Sequence, residues 1–221
     1  MIELMQKGGP LMWVILFCSV VGVGLFLERL LFLHRASIDV AEFLRGLANL
    51  IRRKNFAEAR HECAVMPVPV GRVLHSAILR HDASRADLKD IVQEAGQLEV
   101  PALERNLAAL STIALVTPLI GLLGTMTGLI QAFVTISANG GYASAADISG
   151  AIYQSLLTTA TGLSVAIPAF VGHQFLSGKV NRILHDIERA GIEIVNLLTD
   201  EAGASQDIIR FDTAQQRSLK S

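Results

Sequence analysis

Polar side chains recur at helical spacing inside a stretch of the chain that carries no charge. Residues 148–178 contain no Asp, Glu, Lys or Arg, yet they hold an amide and several hydroxyls. On a helix these fall on two adjacent faces: Gln154, Thr158, Thr161 and Pro168 on one, and Ser155, Thr159, Gly162 and Ala166 on the other. An amide does not titrate, and hydroxyls both donate and accept hydrogen bonds. The expected chemistry is therefore hydrogen bonding to water or to another helix.

This polar arc is too wide to face lipid, because an unsatisfied polar group in hydrocarbon is costly. It must face protein or a water-filled cavity. Hydrogen bonding between helices is one explanation. A single chain offers few partners for so many hydroxyls, which favours an oligomer with a lined interior. Pro168 is expected to kink the helix and to free a nearby carbonyl.

Small residues dominate a second charge-free stretch. Gly121, Thr125 and Gly128 share one helix face. Gly124 and Gly128 also form a G-x-x-x-G motif, and small residues let helices approach closely inside a membrane. We therefore predict helix packing along this face, with Pro118 as a further packing or kink position.

The sequence lacks the patterns typical of an enzyme. Walker A, G-x-G-x-x-G, H-E-x-x-H and G-x-S-x-G motifs are missing, and so is any metal-ligand spacing. Neither catalysis nor a cofactor or metal is expected. The net charge of -1 argues against a nucleic-acid partner. A disulfide between Cys18 and Cys63 is not expected either, because the topology below places them in different compartments.

Three charge-free stretches, 8–27, 106–146 and 148–178, supply the helices that would position these residues. A membrane-spanning helix needs about 20 predominantly apolar residues, so each stretch predicts one span. We predict an all-α membrane protein with three transmembrane helices, in which spans two and three extend into a cytoplasmic helical domain. The predicted segments are an outer N-terminus with span one (1–33), a cytoplasmic helical region (34–105), span two (106–136), a short outer loop (137–151), span three (152–176) and a cytoplasmic amphipathic helix and tail (177–221).

Two amphipathic stretches are predicted within the polar region. Apolar residues recur at helical spacing from Val40 to Ile51 and again from Leu88 to Leu98. A Met-Pro-Val-Pro sequence at 66–69 predicts a break between them.

Lysine and arginine are distributed unevenly among these segments. One precedes span one, twelve lie in residues 28–105, none lies between spans two and three, and six follow Leu176. By the positive-inside rule the N-terminus lies outside, whereas the 34–105 region and the C-terminus are cytoplasmic.

Specific motifs occur in spans two and three. They are TPLIGLLGT at 117–125, LLTTATGL at 156–163 and VAIP at 165–168. Gly9-Pro10, LERL at 27–30 and NFAEA at 55–59 accompany them. With these motifs the chain resembles, over nearly its whole length, the MotA/TolQ/ExbB proton channel family. MotA itself has four spans, so three spans favour the ExbB/TolQ branch.

The resemblance implies a multi-pass protein of the bacterial inner membrane, with the N-terminus in the periplasm and the C-terminus in the cytoplasm. It implies a homo-oligomer, a pentamer in the family, around the transmembrane helices of an ExbD/TolR-like single-span partner. Ion flow would drive movement of those helices and energise envelope transport or maintenance, with a TonB- or TolA-like protein as a further partner. The family's pore threonines match Thr125 and Thr159. The remaining predicted ion-pathway residues are Gln154, Ser155, Thr158 and Thr161.

One departure from the family concerns Gln154, where many members carry Glu, so no proton relay is expected at this position. Between Arg105 and His173 the only acidic residue is Asp147, which is expected to cap span three. A proton carrier must therefore come from another chain, and the resemblance implies an intramembrane Asp of the ExbD/TolR-like partner. The alternative function is a non-conducting membrane scaffold for a single-span partner, which Gln154 favours. The sequence leaves open whether the ion is H⁺ or Na⁺.

Overall fold

The computed structural model describes the backbone of residues 9–139 and 145–218, and the side chains of residues 9–139 and 148–200. This part of the chain contains seven helices and no strand. The helices are α1 (Pro10–Ala36), α2 (Val40–Arg52), α3 (Phe56–Val65), α4 (Pro69–Leu79), α5 (Arg85–Glu104), α6 (Leu107–Ala138) and α7 (Ala145–Ser218). The all-α prediction is confirmed.

Three of these helices, α1, α6 and α7, are long and apolar enough to cross a membrane. Each carries large apolar side chains on its outer surface, such as Phe17 (69% exposed), Phe133 (70%) and Val171 (61%). Contiguous apolar surface of this kind suits lipid, whereas water would disfavour it. The predicted three spans are confirmed, and the chain is a multi-pass membrane protein.

Helix α7 begins inside the segment predicted as a loop, 137–151, and continues well beyond span three. It reaches Ser218, so the predicted continuation of the third span is confirmed. Asp147 lies within α7, and its side chain is outside the described residues. Helices α6 and α7 continue through Pro118 and Pro168, respectively.

The chain forms two compact units, and the first contains the membrane helices. It comprises the residues up to Leu31 together with Arg105–Gly178. Helix α1 packs against α6 and α7 in this unit, and a glycine lies at each contact: Gly22 of α1 and Gly172 of α7. Gly22 faces Ile113, where an added Cβ would lie 3.6 Å from Cγ2. At Gly172 an added Cβ would lie only 2.8 Å from Cδ2 of Phe26, so that ring occupies the space of the missing side chain.

The second unit comprises Phe32–Glu104 and the chain from Lys179 onward. Its short helices begin where side chains or proline favour a start. The carboxylate of Asp39 accepts hydrogen bonds from two backbone N–H groups of α2. The side chain of Asn55 accepts one from a backbone N–H group of α3. Helix α4 begins with Pro69 in its first turn, so the break predicted at 66–69 is confirmed.

Helices α5 and α7 approach closely within the second unit. An added Cβ at Gly191 would overlap Cγ1 of Val92, and one at Gly96 would lie 3.5 Å from Cγ2 of Ile187. Val92 is buried, so at this residue the prediction that an apolar face of α5 packs against the protein is confirmed. Leu98, which the pattern assigned to the same face, is 74% exposed. Leu98 lies six residues after Val92, and at 100° per residue its side chain points about 120° away from that of Val92.

A single left-handed residue, Asn106, precedes α6 at the boundary predicted between 105 and 106. Its φ is 63°, a conformation that Asn adopts more readily than most residues. Its Nδ2 donates to Oε2 of Glu28 at 3.1 Å. This bond ties the end of span one to the start of span two.

Candidate functional site

The small face of α6 packs against the polar face of α7 within one chain. Going along α6, Gly121 lies beside Thr159, Gly124 beside Thr158 and Gly128 beside Ser155. The residue numbers fall on α7 as they rise on α6, so the two helices are antiparallel. The glycine face predicted for helix packing thus meets part of the polar arc inside the chain.

Backbone contacts make this approach very close at Gly121 and Gly162. An added Cβ on Gly121 would lie 3.1 Å from Cα of Thr159, and one on Gly162 would lie 3.0 Å from the carbonyl oxygen of Thr117. Such distances are shorter than ordinary contacts of about 3.5–4.0 Å between carbon atoms. A side chain at either position would push the facing backbone back by a few tenths of an ångström, so glycine allows the closest approach of the two helices.

Most hydroxyls of the site donate to a carbonyl of their own helix. Ser155 donates to Ile152 at 2.8 Å and Thr158 to Gln154 at 2.9 Å. The Ser155 and Thr158 side chains are nearly fully buried against the α6 glycines. The bonds shown for these two residues stay within α7, whereas the sequence analysis weighed bonding between helices against the lined interior of an oligomer. Thr161 is half-buried and donates in the same way, to Leu157 at 2.8 Å.

Thr159 differs from these residues because its hydroxyl reaches the other helix. Its Oγ1 lies 2.8 Å from the carbonyl oxygen of Gly121 on α6 and 3.3 Å from that of Ser155 on α7. Its side chain is half-buried. Thr125 is also half-buried, lies one turn beyond Gly121 and donates to the Leu122 carbonyl at 2.6 Å. Thr125 thus lies one turn from the residue to which Thr159 is bonded, and both threonines are partly exposed.

Gln154 lies at the start of α1, a contact that the sequence analysis missed. Gly9 has a φ of +73°, and an added Cβ there would lie only 2.6 Å from Nε2 of Gln154. Glycine is favoured at this position by its backbone conformation, whereas the amide is the end of a flexible side chain that could move aside. The Gly9-Pro10 pair was visible in the sequence, but no local signal connects it with a residue so distant along the chain.

The described residues contain no group of His, Cys, Asp and Glu side chains that could hold a metal ion. Between Arg105 and His173 the sequence has no acidic residue other than Asp147. The site therefore offers hydroxyls, an amide and backbone carbonyls. These groups can bind water and orient it, but they cannot themselves carry a proton through a titration cycle.

Comparison with known proteins places this site within a matched region. Residues 65–189 match the model of the MotA/TolQ/ExbB proton channel family. Biopolymer transport protein exbB1 of Vibrio cholerae is 28% identical to this chain, and the match covers 98% of each protein. An ExbB homolog of Methanothermobacter thermautotrophicus is 25% identical over 85% of this chain and 66% of its own length. The Tol-Pal system protein TolQ of Haemophilus influenzae is 34% identical over 55% of this chain and 54% of its own.

Proposed function

Because this chain belongs to the MotA/TolQ/ExbB proton channel family, in its ExbB/TolQ branch, we propose that it is the channel subunit of an ion-driven motor in the bacterial inner membrane. The proton motive force moves the transmembrane helices of a partner and so energises envelope transport or maintenance. Copies of the chain form a homo-oligomer, a pentamer by resemblance. The N-terminus faces the periplasm and the C-terminus the cytoplasm, as the lysine and arginine distribution favours.

The hydrogen bond from Thr159 to the Gly121 carbonyl carries the mechanistic part of the proposal. While it donates to that carbonyl, the hydroxyl oxygen can still accept a hydrogen bond from water or from a protonated carboxyl group. When the carboxyl loses its proton, the hydroxyl can leave the carbonyl and donate to the carboxylate. Thr125 has the same choice between the Leu122 carbonyl and an outside group. Thr125 and Thr159 thus line the ion path in both charge states of the carrier.

The carrier itself belongs to another chain. An isolated carboxylate inside a membrane is costly and needs polar groups beside it. This chain supplies such polar groups but has no carboxylate between Arg105 and Asp147 or between Asp147 and His173. We assign the carrier to an intramembrane Asp of an ExbD/TolR-like single-span partner, and a TonB- or TolA-like protein would receive the resulting movement.

The other predicted pathway residues have supporting roles in this proposal. Ser155 and Thr158 hold α6 and α7 together, because both are buried at glycine contacts. Thr161 and Gln154 remain half-buried. The contact of Gln154 with Gly9 supports a positioning role for the amide, since this group does not titrate. The same contact also fits the scaffold alternative, so a flux measurement must separate the two functions.

The test is ion flux through the complex reconstituted in vesicles with its co-purified single-span partner. Thr125→Val and Thr159→Val keep the shape of the side chain and delete the hydroxyl. Thr127→Val is the matched control for Thr125→Val, because Thr127 likewise donates to carbonyls of α6 but lies two residues further on, about 200° around the helix from Thr125.

Both pathway variants should assemble with the partner and lose most of their flux, whereas Thr127→Val should conduct normally. Normal flux in both pathway variants would refute the ion-path assignment. A wild-type complex that assembles but conducts no ions under an applied proton gradient would favour the scaffold. A partner without an intramembrane acid would refute the assignment of the carrier.

A further inference from the structure

Pro168 lies inside the third membrane helix and has no role in the proposed function so far. Proline has no backbone N–H group, so the carbonyl of Ser164, one turn earlier, lacks the donor that a helix normally supplies. Ser164 and Pro168 are both exposed, so this carbonyl lies on the open side of α7 rather than in its contact with α6. A backbone carbonyl without a donor is costly in a membrane and needs a partner.

The nearest hydroxyls of α7 already donate to other carbonyls. Ser164 donates to the carbonyl of Ala160 at 2.8 Å, and Thr161 donates to that of Leu157 at 2.8 Å. Charged side chains offer no donor either, because residues 8–27, 106–139 and 148–178 contain no Asp, Glu, Lys or Arg. The side chains that can titrate in these stretches are Cys18, Tyr153 and His173. Along α7 the last two lie about 14 Å or more from Ser164.

Helix α1 brings one further hydroxyl to this height. Gly9 lies beside Gln154, and Phe26 lies beside Gly172, so α1 and α7 run parallel and Ser19 stands level with Ser164. In the described part of the chain no hydrogen bond joins Ser19 to α7. The donor for the free carbonyl is therefore expected from outside the chain.

The open side of α7 has Thr159 at one edge and Ser164 at the other. At 100° per residue the two lie about 140° apart around the helix and about 7.5 Å apart along its axis. Leu163 and Ile167, which are 46% and 62% exposed, lie on the surface between them. A helix packed on this apolar strip can contact a hydroxyl at one edge and a free carbonyl at the other.

The two edges differ in hydrogen-bonding chemistry. A hydroxyl both donates and accepts, so Thr159 can bind a carboxylate as well as a carboxylic acid. A backbone carbonyl only accepts, so it binds a carboxylic acid through the O–H group and disfavours a carboxylate. The two positions thus distinguish the two protonation states of one carboxyl group.

We propose that the Ser164 carbonyl, freed by Pro168, accepts a hydrogen bond from the protonated carboxyl group of the single-span partner, and that Thr159 binds the same group after it loses its proton. The carboxylate takes its proton from the acidic side of the membrane and releases it to the other side, so only the O–H bond forms and breaks. This inference rests on the proposed function and adds a second position for the carrier. A donor from a second copy is the competing occupant.

Two replacements of Pro168 separate the free carbonyl from the proline ring. Pro168→Ala restores the N–H group that satisfies the Ser164 carbonyl. Pro168→lactic acid, introduced by nonsense suppression, has the same side chain as alanine but an ester oxygen in place of the N–H group, so the carbonyl stays free. Alanine is a better helix former than proline, and co-purification with the partner checks assembly.

The measurement is ion flux in vesicles as a function of pH on the acidic side. Without the free carbonyl the protonated carrier is less stable, so more acid is needed to load it. In Pro168→Ala the pH of half-maximal flux should fall by roughly half to one unit, which is what one net hydrogen bond contributes. Flux at pH 7 should then be about three- to ten-fold lower. Pro168→lactic acid should restore both values.

Disulfide cross-linking identifies the occupant of this side of α7. Both native cysteines are replaced by alanine, and Ser164→Cys is combined with a cysteine placed one turn from the intramembrane acid of the partner. Mild oxidation should link this chain to the partner. Val20→Cys is the matched control, because Val20 is 66% exposed and stands at a similar height on α1. It should give no link.

Each other outcome overturns part of the reasoning. Unchanged flux and pH dependence in Pro168→Ala, or equal losses in Pro168→Ala and Pro168→lactic acid, would overturn the role of the carbonyl and leave the motor proposal intact. A Ser164→Cys link between two copies would identify a second copy as the occupant, and the same pH shift in Ser19→Ala would identify Ser19 as the donor. A wild-type complex that conducts no ions would contradict the proposed function and this inference together.

Discussion

Gly128→Ala tests the close contact between α6 and α7. The new Cβ would lie 2.5 Å from Cβ of Ser155 and 3.1 Å from the carbonyl oxygen of Ala151. Carbon atoms pack at about 3.5–4.0 Å, so the helices must separate locally by about 1 Å. Overpacking of this kind costs about 1–3 kcal/mol. The helix propensity of Ala over Gly offsets up to about 1 kcal/mol of this cost.

The matched control is Gly24→Ala in span one, because no atom lies within 4 Å of its added Cβ. This variant should gain the propensity term without the overpacking cost. The two variants should thus differ by about 1–3 kcal/mol, which corresponds to a difference in Tm of roughly 2–12 °C for a chain of this size. The measurement is the loss of helical circular dichroism on heating in detergent.

Combining Gly128→Ala with Ser155→Gly removes the atom that the new methyl group meets. The double variant should lose less stability than the two single variants predict together, which is the sign of a direct contact. Equal melting temperatures for Gly128→Ala and Gly24→Ala would refute the reasoning. The glycine face would then serve contacts between copies, and the size of the oligomer, measured in the same detergent, should change instead.

Three further predictions concern other parts of the chain. With the native cysteines replaced, Gly141→Cys, a position outside the described residues, should react with an impermeant maleimide from outside and Arg85→Cys should not; the reverse pattern would contradict the topology. Asn106→Ala should lower thermal stability by about 1–2 kcal/mol and Asn106→Gly by less, since glycine adopts the left-handed conformation freely; equal losses would contradict a conformational role. Burial, with the Glu62 charge as a smaller cause, raises the pKa of Cys63 from 9.0 to about 12, so this thiol should resist alkylation at about pH 8 until the protein unfolds. The folded state favours the protonated thiol, so its contribution to stability is complete below pH 9.0 and is lost as the pH rises towards 12; a Tm that falls equally in wild type and Cys63→Ala above pH 9.0 would contradict this.

The candidate site could be predicted in part because two kinds of signal survive in the sequence. Hydroxyls in a charge-free helix have to find partners, and glycines at four-residue spacing allow a close approach. The first signal pointed to Thr159 and the second to Gly121. Neither could show that the Thr159 hydroxyl lies 2.8 Å from the Gly121 carbonyl, because that bond joins residues on two different helices.

The sequence by itself determined the three membrane helices and the break before Pro69. Both depend on local properties: a long apolar run favours lipid wherever the rest of the chain lies, and proline restricts the backbone of its immediate neighbours. The continuation of α7 beyond the membrane was equally visible, because apolar residues at helical spacing persist after Leu176.

Only the tertiary structure decided which faces meet. The glycine face of α6 could have packed within the chain or between copies, and the sequence pattern is the same in both cases. The contact of Gln154 with Gly9 and the exposure of Leu98 were equally hidden. Helical periodicity specifies which residues share a face, but the neighbour of that face depends on how distant segments pack, and the packing energy is a property of the assembled helices rather than of any one of them.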